Sequence, residues 1–96
     1  MTRAYEFAVV LNPELSDAEL ERLRRSIETL IEKNEGKVIN EDIWGRKPTA
    51  YKLRGHKEGF YAFYDIEMTA QNVFTFDQAV KLTEGVLRHL ITIKEE

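Results

Sequence analysis

The chain opens on a period of two. Between residues 5 and 11, Tyr5, Phe7, Val9 and Leu11 fall on one side of an extended backbone, and Glu6, Ala8 and Val10 on the other. Asn12-Pro13 stops this strand, since proline supplies no N–H and favours a turn. The period then becomes three and four. Leu20, Leu23, Ile27, Leu30 and Ile31 form one helical stripe, with Glu21, Arg22, Arg24, Arg25, Glu28 and Glu32 on the solvent side. Ser16 and Glu19 precede it at the spacing where hydroxyl and carboxylate satisfy each other's free backbone N–H. Gly36 is expected to close the helix in the left-handed conformation.

Residues 37–44 read as a second strand, weakened by Asn40, Glu41 and Asp42 and therefore expected at a sheet edge. The following segment reads as a long hairpin connection with a short strand at Ala50–Leu53. A third strand runs to Met68, with Phe60, Ala62, Tyr64, Ile66 and Met68 on one face and Tyr61, Phe63, Asp65 and Glu67 on the other. A second helix is predicted over 69–85, with Val73, Phe76 and Val80 inward, and a last strand over 86–93. The order strand-helix-strand-strand-helix-strand is the split βαβ arrangement. It predicts one α+β domain over 1–96, ferredoxin-like (βαββαβ), whose four-stranded antiparallel sheet carries both helices on one face. Many activities share this fold, so function has to come from particular residues.

Hydrophobic residues are 43% of the chain and charged ones 32%, too apolar for disorder and ordinary for a globular domain. No apolar run reaches the roughly 20 residues of a membrane span, and the N-terminus has no signal-like design. With no cysteine, disulfides, thiol nucleophiles and cysteine-ligated zinc are excluded. The expected compartment is the cytoplasm. The net charge of −3 argues against nucleic acid until its distribution is considered. Residues 44–57 hold five Lys/Arg and no acid, which leaves nine basic and seventeen acidic groups elsewhere. A basic segment in an otherwise acidic chain is the asymmetry of a local phosphate-facing site.

The third strand raises a competing possibility. Tyr61 and Phe63 fall on the open face, where an RNA-recognition sheet stacks bases. Gly59-Phe60 puts the glycine and aromatic in the wrong order for that motif. The neighbouring strand offers only Glu6, Ala8 and Val10, and Asp65 and Glu67 repel phosphate. The strand is therefore read as a scaffold, and the nucleic-acid signal as lying upstream of it. Other chemistry is absent. His56 and His89 have no second histidine or carboxylate at ligand spacing, so no metal or cofactor is expected, and His89, alternating with Ile91 and Ile93, is expected to pack. Glu41 and Asp42 point to opposite faces of a strand. No glycine-rich phosphate loop or serine–histidine constellation occurs, and an enzyme is not expected.

"DIWGRKPTAYKLRGHKEGFY" (42–61) resembles the hairpin of the bacterial small-subunit ribosomal protein six family, with its Trp/Leu-Gly-Arg-Arg run followed by Leu-Ala-Tyr-Pro-Ile. "RAYEFAVVLNPEL" resembles the family's opening strand, and "LTEGVLRHLITI" its closing loop and strand. Lys47, Thr49 and Lys52 stand where the family has arginine, leucine and proline. The resemblance implies a non-enzymatic constituent of the 30S subunit, cytoplasmic and ribosome-associated. It would bind the central domain of 16S rRNA as a heterodimer with small-subunit protein eighteen, with no membrane or small-molecule substrate. On that reading Arg46 and Lys47 neutralise phosphates, Lys52, Arg54 and Lys57 extend the strip, and Arg3, Arg88 and Lys94 form a second RNA contact. Trp44 and Tyr51 are the expected partner-protein contacts. The alternative is a ferredoxin-like ligand-sensing or small-molecule-converting domain that dimerises through Val10, Tyr61, Phe63 and Leu90.

Overall fold

The structure, a computed structural model, describes residues 2–53 and 55–94, and the side chains of all of these except 50–53. Its elements are β1 (Thr2–Leu11), α1 (Asp17–Lys33), β2 (Lys37–Leu53), β3 (His56–Thr69), α2 (Ala70–Lys81) and β4 (Val86–Ile93). The sheet order is β2-β3-β1-β4 with every neighbour antiparallel, which is the predicted ferredoxin-like α+β fold. β2 lies at an edge, as its interrupted pattern implies.

Alternation decides which face is covered. Tyr5, Phe7, Val9 and Leu11 of β1 and Ala62, Tyr64, Ile66 and Met68 of β3 are buried, together with Leu20, Ile27 and Ile31 of α1 and Phe76 and Val80 of α2. Phe7 is central, with Phe76 edge-on at 5.1 Å and Tyr64 stacked at 5.8 Å between ring centroids. His89 packs edge-on to the same ring, and its Nε2 lies 2.6 Å from the Asp77 carboxylate, fastening β4 to α2. The predicted packing of His89 is thus observed, with a polar partner on the helix.

The predicted capping box is present: the Glu19 N–H donates to Ser16 Oγ (3.2 Å), and the Ser16 N–H donates to Glu19 Oε1 (2.9 Å). The Ser16 bonds hold the Glu19 carboxyl below its ordinary value. The other end of α1 corrects an expectation. The left-handed residue is Glu35 (φ 59°), not Gly36. Glu35 N–H donates to the Glu32 carbonyl and Gly36 N–H to the Ile31 carbonyl, the paired bonds of a Schellman closure. Gly36 is required for space: a Cβ there would meet Met68 Cε at 2.6 Å and Ile31 Cγ2 at 2.9 Å.

Two other boundaries move. α2 ends at Lys81, four residues short of the predicted end, with Thr69 as its N-cap. β2 continues through the basic segment to Leu53 where a connecting loop was expected. The charge-rich sequence of that segment has no apolar alternation, because beyond Phe60 no other strand covers the β2–β3 pair. Arg24 and Glu28, expected on the solvent side of α1, are half-buried against β2. Burial there, reinforced by Glu41, raises the Glu28 carboxyl above its usual range. Burial and then Glu41 push the Tyr64 hydroxyl up to about 12.

Candidate nucleic-acid and partner interface

The face away from the helices is ordered in rows, set by the strand register. Gly45, Tyr61, Val10 and Arg88 lie side by side across β2, β3, β1 and β4. The next row is Asp42, Phe63, Ala8 and Leu90; the next is Asn40, Asp65, Glu6 and Thr92. The face therefore changes from apolar to acidic moving away from the row of Gly45. On the other side of that row β2 and β3 run on as a two-stranded ribbon.

Trp44 stands at the junction. It is the extra residue where the β2–β3 register shifts between Ile43 and Gly45. Gly45 has φ +80°, and a Cβ there would touch nothing within 4 Å, so the bulge selects glycine for its backbone and not for room. The bulge turns the Trp44 ring onto Phe63, with centroids 4.6 Å apart, while its indole N–H donates to Asp42 Oδ2 (2.9 Å). The ring remains 52% exposed. It separates two open hollows: one of about 660 Å³ lined by Trp44, Lys47, Pro48 and Tyr61, and one of about 380 Å³ lined by Glu6, Asn40, Asp42, Phe63 and Asp65 with Trp44. The first presents an ammonium beside aromatic rings, the second three carboxylates. Phe63 is occupied by Trp44 and flanked by acids, which is consistent with the sequence argument against a base-stacking sheet.

On the ribbon, Lys47 pairs with Gly59 and shares the open side, and Lys57 shares it by alternation. Both are exposed, and neither ammonium has a partner among the described residues. The Thr49 hydroxyl donates to the Lys57 carbonyl (3.0 Å), holding the two strands together where the register shifts again. Tyr51 and Lys52 lie outside the described side chains, and Arg54 outside the described residues. Arg46 takes a different course from its neighbour. It pairs with Phe60 and points to the helix side. There Nε donates to the Pro13 carbonyl (3.0 Å), Nη2 to the Leu15 carbonyl (2.9 Å), and Nη1 lies 3.3 Å from Asp17 Oδ1.

The proposed second cluster is not assembled. Arg3 pairs with Met68 at the far end of β1, on the helix side. Lys94 is on the open face at that same end, bound to Asp65 at 3.1 Å. Arg88 belongs to the row at the opposite end, with Tyr61 and Val10, on the outer strand across the sheet from β2. Sequence reasoning missed this regrouping because it depends on the β1–β4 register, which the local pattern of β4 does not contain.

The sequence model of the family described as Ribosomal protein S6 matches residues 4–93. The chain belongs to the ribosomal protein S6 family. It is 32% identical over 94 residues to small ribosomal subunit protein bS6 of Dictyoglomus turgidum, covering 98% of this chain and 97% of that one. The bS6 of Thermoanaerobacter pseudethanolicus is 33% identical over 94 residues, covering 98% and 99%. Among solved structures, the 30S ribosomal protein S6 of Thermotoga maritima superposes with a TM-score of 0.92 at 22% identity, over 98% of this chain and 89% of that one. The C-terminal domain of the MgtC protein from Mycobacterium tuberculosis shares the fold at a TM-score of 0.66 and 14% identity, over 98% of this chain and 89% of that one. Architecture alone therefore does not separate these two proteins, whereas the sequence family does. Ribosomal protein S6 family members are structural proteins of the small ribosomal subunit, so this chain is a ribosomal protein and not an enzyme. The family places it at the ribosome, in the cytoplasm.

Proposed function

We propose that this chain binds the central domain of 16S rRNA together with small-subunit protein eighteen, and helps hold that RNA in its folded form during 30S assembly. The observation that carries the reading is the division of one surface around Trp44. Exposed Lys47 and Lys57 stand on the ribbon side, apolar Phe63 and Leu90 lie beyond, and carboxylates follow. Phosphate suits the ribbon end, where ammonium groups release counterions on contact. A protein partner suits the aromatic and acidic part, provided that partner carries basic groups. Lys52 and Arg54 extend the basic strip by sequence, and Tyr51 accompanies Trp44 as a partner contact. Arg88 lies toward the ribbon end of that face, while Arg3 and Lys94 sit at the opposite end of the sheet, outside the strip.

The test is a salt series on the complex with a 16S central-domain fragment and purified protein eighteen. Lys47→Ala with Lys57→Ala is expected to weaken binding and to flatten the logarithmic salt dependence by about two, one for each phosphate contact. The melting midpoint is expected to stay put, because both side chains are exposed. An unchanged slope removes the ribbon from the RNA site.

A further inference from the structure

We infer that Arg46 is the positioning residue of the ribbon: a clamp that sets its angle to the sheet, and not a phosphate ligand. The inference rests on the RNA-binding reading above and refines how that surface is built. Past the Leu11–Phe60 pair the ribbon no longer has β1 beside it, and a two-stranded ribbon is marginal by itself. Something must fix its direction for Lys47 to reach the same phosphate in every molecule. The loop between β1 and α1 supplies the anchorage. Arg46 holds two of its carbonyls, Pro13 and Leu15, and approaches Asp17 in the first turn of α1. Nearer the tip of the ribbon, His56 Nδ1 faces the Glu14 carboxylate of the same loop at 3.5 Å.

The chemistry is specific to arginine. Its planar fork reaches acceptors on three residues at once, from Nε and both terminal nitrogens, whereas a lysine ammonium is a single compact centre. The Asp17 contact is the least of the three, since that carboxylate is 93% exposed and such pairs contribute little. The two carbonyl bonds carry the clamp. Arg46 and Lys47 are adjacent and point to opposite sides of the ribbon, so anchoring one on the helix side presents the other on the open side. The Asn-Pro stop and the Trp-Gly-Arg turn, 31 to 33 residues apart in the chain, are thereby two halves of one contact.

Arg46→Ala and Arg46→Lys, compared with wild type and with Lys47→Ala/Lys57→Ala, test this on the same rRNA fragment and protein eighteen. Both Arg46 variants are expected to lose binding alike, by about tenfold, with the fold retained. Recovery of wild-type binding by Arg46→Lys overturns the clamp and makes the residue a plain cation. Unchanged binding with a lowered melting midpoint also overturns it, leaving a merely structural contact. Residual dipolar couplings of the amides of residues 56–60 report the ribbon's direction without RNA. They are expected to change in both variants while those of β1 do not, and unchanged couplings overturn the inference. Wild-type protein that binds no better than an unrelated acidic protein refutes the RNA reading, and the couplings still decide the clamp.

Discussion

β2 and β3 pair from Lys37 to Pro48 and again at Leu53, yet the two halves of that pairing are held by different means. From Lys37 to Ile43 the strands lie in a sheet whose other face is covered by α1 and α2, and their register follows side-chain burial: Ile66, Tyr64 and Ala62 are all at or below 1% exposed. Past Phe60, where β1 ends at Leu11, the same two strands leave the helix-backed sheet and meet the β1–α1 loop through Arg46 and His56. Their arrangement there depends on a glycine bulge, an arginine fork and a threonine hydroxyl. Hydrophobic burial is non-directional and tolerates some adjustment, whereas these polar contacts fix direction. The first half supplies stability to the molecule, and the second supplies aim.

The largest blow to this contrast is expected from Phe7→Ala. It removes the ring that Tyr64, Phe76 and His89 surround, and should cost about 3–5 kcal/mol in urea unfolding; a loss near 1 would mean that the covered face is not the source of stability. At the junction, Trp44→Ala should separate the two functions. The ring is half wet, so folding should lose no more than about 1 kcal/mol, while association with protein eighteen should lose about 2. Equal losses by calorimetry and melting would blur the boundary drawn at the bulge.

Smaller effects sharpen the contrast. Glu35→Gly relieves a left-handed backbone that costs a non-glycine residue roughly 1 kcal/mol. It should raise the melting midpoint without altering RNA binding, despite loss of the long 3.4 Å bond from Asn72. Thr49→Ala should scarcely move global unfolding but should speed amide exchange in the ribbon alone, since it removes about 1 kcal/mol of local bonding. The gentlest is a pH effect. Burial and Glu41 raise the Glu28 carboxyl in the folded state, so the folded chain binds more protons than the unfolded one through that window and stability falls as pH rises across it. Glu28→Gln should then melt higher than wild type at pH 7, and the advantage should shrink as pH falls through the raised value and be gone below the ordinary carboxylate value.

The helix-backed half was legible from residue pattern because burial writes itself into periodicity. The alternation of β1 and β3, the stripe of α1 and the Ser16–Glu19 cap all stand where the sequence puts them. The ribbon was legible as charge but not as structure. Its side chains meet solvent on one side and polar loop groups on the other, so neither the continuation of β2 nor the inward turn of Arg46 leaves a local apolar trace. The end of α1 misled for a related reason: a glycine beside a helix terminus suggests left-handed backbone, but Gly36 is small to make way for Met68 and Ile31, and the turn falls on Glu35. That Arg88 falls in the row of Tyr61 and not beside Arg3 and Lys94 required the β1–β4 register, a fact about distant pairing.

The sheet order has a further consequence for how the chain acquires its shape. β1 is the first of the four strands to be synthesised, but its neighbours are the third and the fourth. Its pairs join residues such as Leu11 and Phe60, or Tyr5 and Ile93, so loops of many tens of residues must close before the central strand gains either side of its ladder. The β2–β3 ribbon, by contrast, joins strands separated by two residues in sequence and can zip as soon as both exist. On a growing polypeptide the hairpin is therefore ready early, while the oldest strand waits for it to form and completes its second edge only when the youngest arrives.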